Sequence, residues 1–229
     1  MIAKLFHVPH SSLNIPDEFA SDFLISKEEL YKEAKILCDN DVDKLLPDNS
    51  NSVIFNLSRV ICDVERYLDH REVMNEIGMG AFYEVGHDLK YIRKSVSIKL
   101  LEYYKNHHKL LNKKTKKLLK ENDEVCIIDL HSYSKTPHPY ELFKTDKRPE
   151  ICIGLNDVYN GYLLEDIINI IKQFGFSYSI NQPFKGSLIP SEHINEKNLH
   201  SFMIEIRKDI YSGKRLSYVK DFIYKIYKI

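Results

Sequence analysis

The chain predicts an α/β fold: a three-layer α/β/α sandwich with a mixed, mostly parallel sheet. Three observations lead there. Short apolar runs alternate with longer amphipathic stretches along the 229 residues. One run, Val125 to Leu130, is nearly continuous in apolar residues, as a strand covered on both faces requires. Histidines and carboxylates stand at or just past such runs, at His7, His10, Asp129, His131 and Glu205, where open α/β sheets gather their chemistry.

In order, residues 3–8 read as a first strand that runs into a Pro/Ser/Asn-rich loop containing His10. A helix follows from about Lys27 to Leu46, with Ser26 as N-cap ahead of Glu28 and Glu29. On a helical wheel Leu30, Ala34, Leu37, Asp41 and Leu45 share one face, so an aspartate interrupts an apolar stripe. Val53 to Leu57 and Val60 to Val64 read as strands, and Gly78-Met79-Gly80 as a turn. Asp88 to Glu121 is periodic and charged, one long helix or two joined. Beyond the Val125 strand come Ile151 to Leu155 as strand and about Asn160 to Phe174 as helix. Ser177 to Ile180 and Phe202 to Ile206 read as strands, and Leu216 to Ile229 as a last amphipathic helix. No Gly/Ser/Pro-rich stretch divides the chain, which reads as one domain over 1–229.

Lys plus Arg and Asp plus Glu both number 33, so no net field recruits nucleic acid or a membrane surface. The basic stretch Lys113 to Lys117 reads as the solvated face of a helix. Cys38, Cys62, Cys126 and Cys152 lack metal-type spacing and read as reduced, buried residues, which with the lack of a signal peptide or membrane-length run implies a cytoplasmic protein.

The chemistry sits in three phrases: His7-Val-Pro-His10-Ser-Ser, Ile128-Asp129-Leu130-His131-Ser132 and Ile204-Glu205-Ile206-Arg207. Two histidines and a carboxylate are the raw material of a hydrolytic zinc site, which holds its ion with three protein ligands. His131 ends a buried-type strand, where a ligand or a histidine bonded to a carbonyl are the two readings. Asp129 shares its sheet face and reads as its hydrogen-bond acceptor. Glu205 lies in an apolar run, where it is either a catalytic group or the partner of Arg207 in an ion pair. His107 and His108, on the long helix, read as surface residues or as braces of the site.

These residues resemble the N-formylglutamate amidohydrolase family, whose fold is similar to that of zinc carboxypeptidases. The matching phrases run in order through almost the whole chain: His7-Val-Pro-His10-Ser-Ser with Ile15-Pro16, Asp39 to Leu45, Ser58-Arg59, Asp63-Val64-Glu65-Arg66, Gly78-Met79-Gly80, and Tyr103-Tyr104 with His107-His108. They continue with Ile128 to Ser132, Pro139-Tyr140-Glu141, Arg148 to Gly154, Asn181 to Gly186, and Met203 to Arg207.

The resemblance implies roles. His10 and His131 match zinc-binding histidines, and Glu205 matches the catalytic glutamate. In carboxypeptidases a glutamate three residues after the first histidine completes the site, but Leu13 stands here. The missing carboxylate must come from Asp39, Asp41 or Asp43. Resemblance favours Asp39 and the wheel favours Asp41; Asp39 is preferred, because one loosened turn around Asn40 would undo the wheel, and Asp41 stays as the alternative. Arg59 and Arg66 match positions for holding an anionic substrate, and arginine suits that task because its planar fork grips both carboxylate oxygens; Lys185, in the loop Asn181 to Gly186, reads as a further contact for an anionic substrate or as an ordinary exposed lysine. Other members carry asparagine in place of Glu65, whose charge would repel a substrate carboxylate. The implied activity is that of a deformylase using Zn2+ or another divalent transition metal, which turns N-formyl-L-glutamate and water into glutamate and formate. Two alternatives stay open: a hydrolase of another acylated amino acid or small peptide, and a binding protein that keeps the fold without turnover.

Overall fold

The computed structural model describes residues 2–142, 144–156, 163–212 and 215–229. Six strands form one sheet in the order β2-β1-β3-β6-β4-β5, with β1 at Ile2–Val8, β2 at Ser52–Ile54, β3 at Glu124–Tyr133, β4 at Ile151–Gly154, β5 at Tyr178–Ile180 and β6 at Leu199–Arg207. All neighbours are parallel except β4 and β6, which run antiparallel. The sheet is therefore mixed and mostly parallel, as expected.

Period-two alternation sorts the side chains of the central strands onto two faces. Phe6 and Val8 of β1, Cys126, Ile128 and Leu130 of β3, and Phe202, Ile204 and Ile206 of β6 pack in one cluster with helices α3 (Leu164–Gln173) and α4 (Leu216–Lys228). Leu5, Val125, Ile127 and Leu199 face the other way, toward Leu111 and Leu118 of helix α2 (Ile98–Glu121). By the same parity His7, Asp129, His131 and Glu205 lie on the α2 face. A cut such as Ile128→Ala in the fully buried first layer would cost roughly 2–5 kcal/mol through the cavity left behind.

Helix α1 (Lys27–Leu37) starts at Ser26, whose side chain accepts the Glu29 N–H while the Glu29 carboxylate accepts the Ser26 N–H. Such a reciprocal cap is worth about 1 kcal/mol. The helix ends well before the expected Leu46. Cys38 turns to extended backbone, Lys208 donates to the carbonyls of Ile36 and Cys38, and Asp41 enters the left-handed region at φ 66°. A short 3-10 turn at Val42–Leu45 resumes the coiling out of phase. The wheel that buried Asp41 is thereby broken.

Other boundaries shift too. Val60 to Val64 forms turns rather than a strand, buried beside α1 residues in a cluster that the apolar pattern alone cannot tell from a sheet. The long periodic stretch is helical only from Ile98, after Ser97, and its buried Leu100, His107, Leu111 and Leu118 mark one stripe. The expected helix start at Asn160 to Tyr162 lies outside the described residues; helix α3 is described from Leu164. All four cysteines are free and buried. Among the described residues no helix is long and apolar enough to cross a membrane.

Candidate metal centre

Three adjacent parallel strands deliver the polar cluster. β1 carries His7 and, two residues past its end, His10; β3 carries Asp129 and His131; β6 carries Glu205, which stands opposite His131 in register. His7 likewise stands opposite Asp129. Asp39 arrives from the chain after α1, and its N–H donates to the His10 carbonyl at 2.9 Å, which ties the two loops together. Tyr211 holds the same turn, its hydroxyl meeting the Asn40 carbonyl and the Ser132 hydroxyl at 2.9 Å each.

Three donor atoms converge. His10 Nδ1 lies 3.3 Å from His131 Nδ1, His131 Nδ1 lies 3.1 Å from Asp39 Oδ2, and His10 Nδ1 lies 3.7 Å from the same oxygen. All three residues are at most 4% exposed. The far nitrogens of both rings face carboxylates. His10 Nε2 meets Asp63 Oδ1 at 2.7 Å, and His131 Nε2 meets Asp129 Oδ1 and Glu65 Oε2 at 3.2 Å each. Asp41, the competing candidate, is exposed and pairs with Lys44. The described structure thus brings Asp39 and not Asp41 to the histidines.

Charge in this cluster is strongly biased. Burial opposes ionisation of Asp39, but the His10 and His131 rings outweigh it and hold the carboxyl below its usual range. Burial likewise opposes charge on Asp63, and Arg59 with His10 overcomes it. On His131 burial disfavours the cation, yet Glu65 and Asp129 outweigh burial and raise its pKa well above the ordinary value. Glu205 goes the other way: burial raises its carboxyl to about 8. Its Oε2 is buried with no hydrogen-bond partner among the described residues. The alternative pairing with Arg207 is not formed, because that guanidinium turns to Asp209 and the Arg148 carbonyl.

The two arginines differ. Arg59 is engaged, its Nε and Nη2 donating to Asp63 and its Nε also to the Tyr83 hydroxyl at 2.9 Å. Arg66 approaches Asp63 only to 3.7 Å, and its buried Nε makes no hydrogen bond among the described residues. Lys185 is exposed on the loop after β5, beside Phe184, whose ring packs edge-on against Tyr133.

Glu65 carried no metal-binding reading in the sequence, and His107 and His108 read as surface residues or braces. Glu65 reaches all three histidines of the cluster, at 3.7 Å from His7 Nδ1 and His10 Nδ1 and 3.2 Å from His131 Nε2. With His10 and His131 it forms one group of donors able to hold a metal, and with His7 and Asp129 a second. Its place in the Asp63-Val64-Glu65-Arg66 phrase was the available signal. His107 is buried rather than on the surface, and His108 Nε2 donates to the Val64 carbonyl, bracing that same phrase.

The chain resembles known proteins in family and in fold. Residues 2–212 match the family described as N-formylglutamate amidohydrolase. A crystal structure of an N-formylglutamate amidohydrolase from Ralstonia eutropha is similar, with a TM-score of 0.82 at 17% identity, covering 99% of this chain and 91% of that one. A gene product from Agrobacterium tumefaciens has a TM-score of 0.66 at 16% identity, with 98% and 88% covered. At these identities the structures speak for the fold. No curated protein sequence matches the chain. The match over residues 2–212 spans nearly the whole sequence, and the chain belongs to the N-formylglutamate amidohydrolase family.

Proposed function

We propose that the protein is a metal-dependent amidohydrolase that converts N-formyl-L-glutamate and water to glutamate and formate, with a divalent ion held by His10, Asp39 and His131. The observation that carries this reading is the triangle of His10 Nδ1, His131 Nδ1 and Asp39 Oδ2, with sides of 3.3, 3.1 and 3.7 Å. Zinc bonds of about 2.0–2.2 Å in tetrahedral array separate neighbouring ligand atoms by roughly 3.3–3.6 Å. The chemistry of the donors agrees. With both Nε2 atoms committed to carboxylates, neutral rings turn their Nδ1 lone pairs toward each other and toward an anionic oxygen. Only a cation relieves that arrangement, and the raised pKa of His131 lets a proton take that place in the metal-free protein.

When bound, a divalent metal polarises an amide carbonyl and lowers the pKa of water. The chain's own groups do the rest. In its ionised form Glu205, a stronger base than an ordinary carboxylate because of burial, accepts a proton from the attacking water and delivers it to the departing nitrogen. Asp63 and Asp129 fix the two rings through their Nε2 atoms. Arg66, with donors to spare, grips the substrate carboxylate, while Arg59 keeps Asp63 in place. Lys185 supports the anionic end of the substrate from its loop.

Glu65 favours a second reading, a hydrolase of a different acylated amino acid. Its carboxylate adds a negative charge beside the histidines that a dicarboxylate substrate must approach. The test is formate or acid release from a panel of N-acyl amino acids by zinc-loaded protein and by Glu205→Gln. The first reading expects N-formyl-L-glutamate to be the best substrate and the variant to be inactive with its zinc retained. Preference for another acyl amino acid selects the second reading, and turnover by the variant at the wild-type rate sinks both.

A further inference from the structure

A chain of buried polar contacts, two hydrogen bonds and a closing ion-pair contact, runs from helix α2 to the ring of His131, whose Nε2 also meets Glu65. His107 Nε2 meets His7 Nε2 at 2.8 Å, His7 Nδ1 meets Asp129 Oδ1 at 2.8 Å, and Asp129 Oδ1 meets His131 Nε2 at 3.2 Å. None of the four residues is more than 5% exposed. They come from α2, β1 and β3, so the chain crosses from the helical layer into the sheet.

We propose that His107 and His7 are positioning residues that act through Asp129 to hold His131 with its Nδ1 lone pair aimed at the metal position. This rests on the metal-centre reading above and extends it two residues beyond Asp129.

Proton placement gives the chain a direction. An ionised Asp129 only accepts, so His7 Nδ1 carries the proton between them. A neutral His7 then offers only a lone pair at Nε2, and His107 Nε2 must be the donor. Burial pushes the His107 pKa down to about 2, so its ring is neutral and has one N–H to give. Asp129 Oδ2 is occupied separately, accepting the Leu188 N–H at 3.0 Å. Its Oδ1 is thus left to the two rings, His7 on one side and His131 on the other.

Removing the His107 donor leaves the buried His7 Nε2 lone pair without its partner, which loosens the ring whose Nδ1 holds Asp129 at 2.8 Å and, through that carboxylate, His131. The His107 ring is itself fixed, edge-on to Phe55 with centroids 5.1 Å apart and tilted against His7 at the same distance. A residue that merely fills space at this place would need neither nitrogen.

The test compares wild type, His107→Leu and His107→Gln for zinc affinity by competition with a chromophoric chelator, beside thermal unfolding of the zinc-free forms. The leucine variant fills the space without a donor, whereas glutamine restores an N–H. We expect about a 10-fold loss of affinity in the leucine variant and recovery to within about 3-fold in the glutamine variant, independent of their unfolding midpoints. Equal affinity in wild type and leucine variant overturns the relay alone. A glutamine variant as weak as the leucine one does the same. Wild type that binds no zinc overturns the metal centre and the relay with it. Should the leucine variant not fold, nitrogen-15 NMR of the wild-type imidazoles decides: the relay requires His7 protonated at Nδ1 and His107 at Nε2, and a His7 protonated only at Nε2 overturns it.

Discussion

The Nδ1 atoms of His10 and His131 face one another at 3.3 Å while the Nε2 atoms of both rings are turned to carboxylates. Two basic nitrogens held this close, beside an Asp39 oxygen, are a donor set suited to a cation. The neighbouring groups follow from that demand. Asp63 and Asp129 orient the rings, and arginines from the 59–66 segment balance Asp63.

Asp39→Asn keeps the size of the side chain and removes its charge from the donor triangle. Zinc affinity is expected to fall about 100-fold or more. Asp41→Asn, on an exposed carboxylate paired only with Lys44, is expected to bind as wild type does. Chelator competition on both variants separates the two candidates, and the reverse ranking would restore Asp41.

Glu205→Gln removes the base and leaves the ion's ligands untouched. A fall in kcat of about 100- to 10,000-fold is expected, with zinc content unchanged. Steady-state rates and metal analysis on the same sample check it. Zinc lost along with activity would make Glu205 part of the binding set instead.

Stability of the metal-free protein carries its own signature. The folded Glu205 holds its proton up to about 8, whereas the unfolded chain gives it up near 4.5, so stability falls as pH rises through that window. The raised pKa of His131 acts in the same direction above its ordinary 6.5. Asp39, Asp63 and Asp129, all depressed, contribute stability that is present above their ordinary 3.8 and lost as pH falls below it. The unfolding midpoint should drop by about 5 °C or more between about pH 5 and pH 8, and Glu205→Gln should flatten that slope. A midpoint that climbs with pH over this range would contradict the assignment.

Arg66→Ala should raise KM for an anionic substrate by about 10-fold or more with little change in kcat, as loss of a charge-assisted carboxylate contact does. Glu65→Asn should lower KM for N-formyl-L-glutamate by removing a like charge. Measuring KM and kcat separately for both variants checks the pair. An Asn variant with weaker substrate binding would make the Glu65 carboxylate part of the working site.

Much of this was legible in the sequence because strand parity is short-ranged and strict. Once Val125 to Leu130 reads as a buried strand, Asp129 and His131 must share a face, and the same holds for Glu205 in β6. The break after α1 was legible only as a loosened turn around Asn40, inside a helix expected to run on to Leu46. It depends on Lys208, about 170 residues away, capping the Ile36 and Cys38 carbonyls, and on the left-handed turn at Asp41. A wheel drawn through that point put the wrong aspartate inside. The Val60 to Val64 segment misled for a related reason, since burial under α1 gives an apolar run whatever the backbone does. No role could be read for His7, and His107 stood between surface residue and brace, because these roles depend on which helix crosses which strand.

The most direct test of the metal centre is the zinc content of purified wild-type protein beside His131→Ala, counted per chain by elemental analysis after dialysis. We predict one zinc per wild-type chain and essentially none in the variant. Wild-type protein without stoichiometric metal, or a variant that keeps it, would contradict the account.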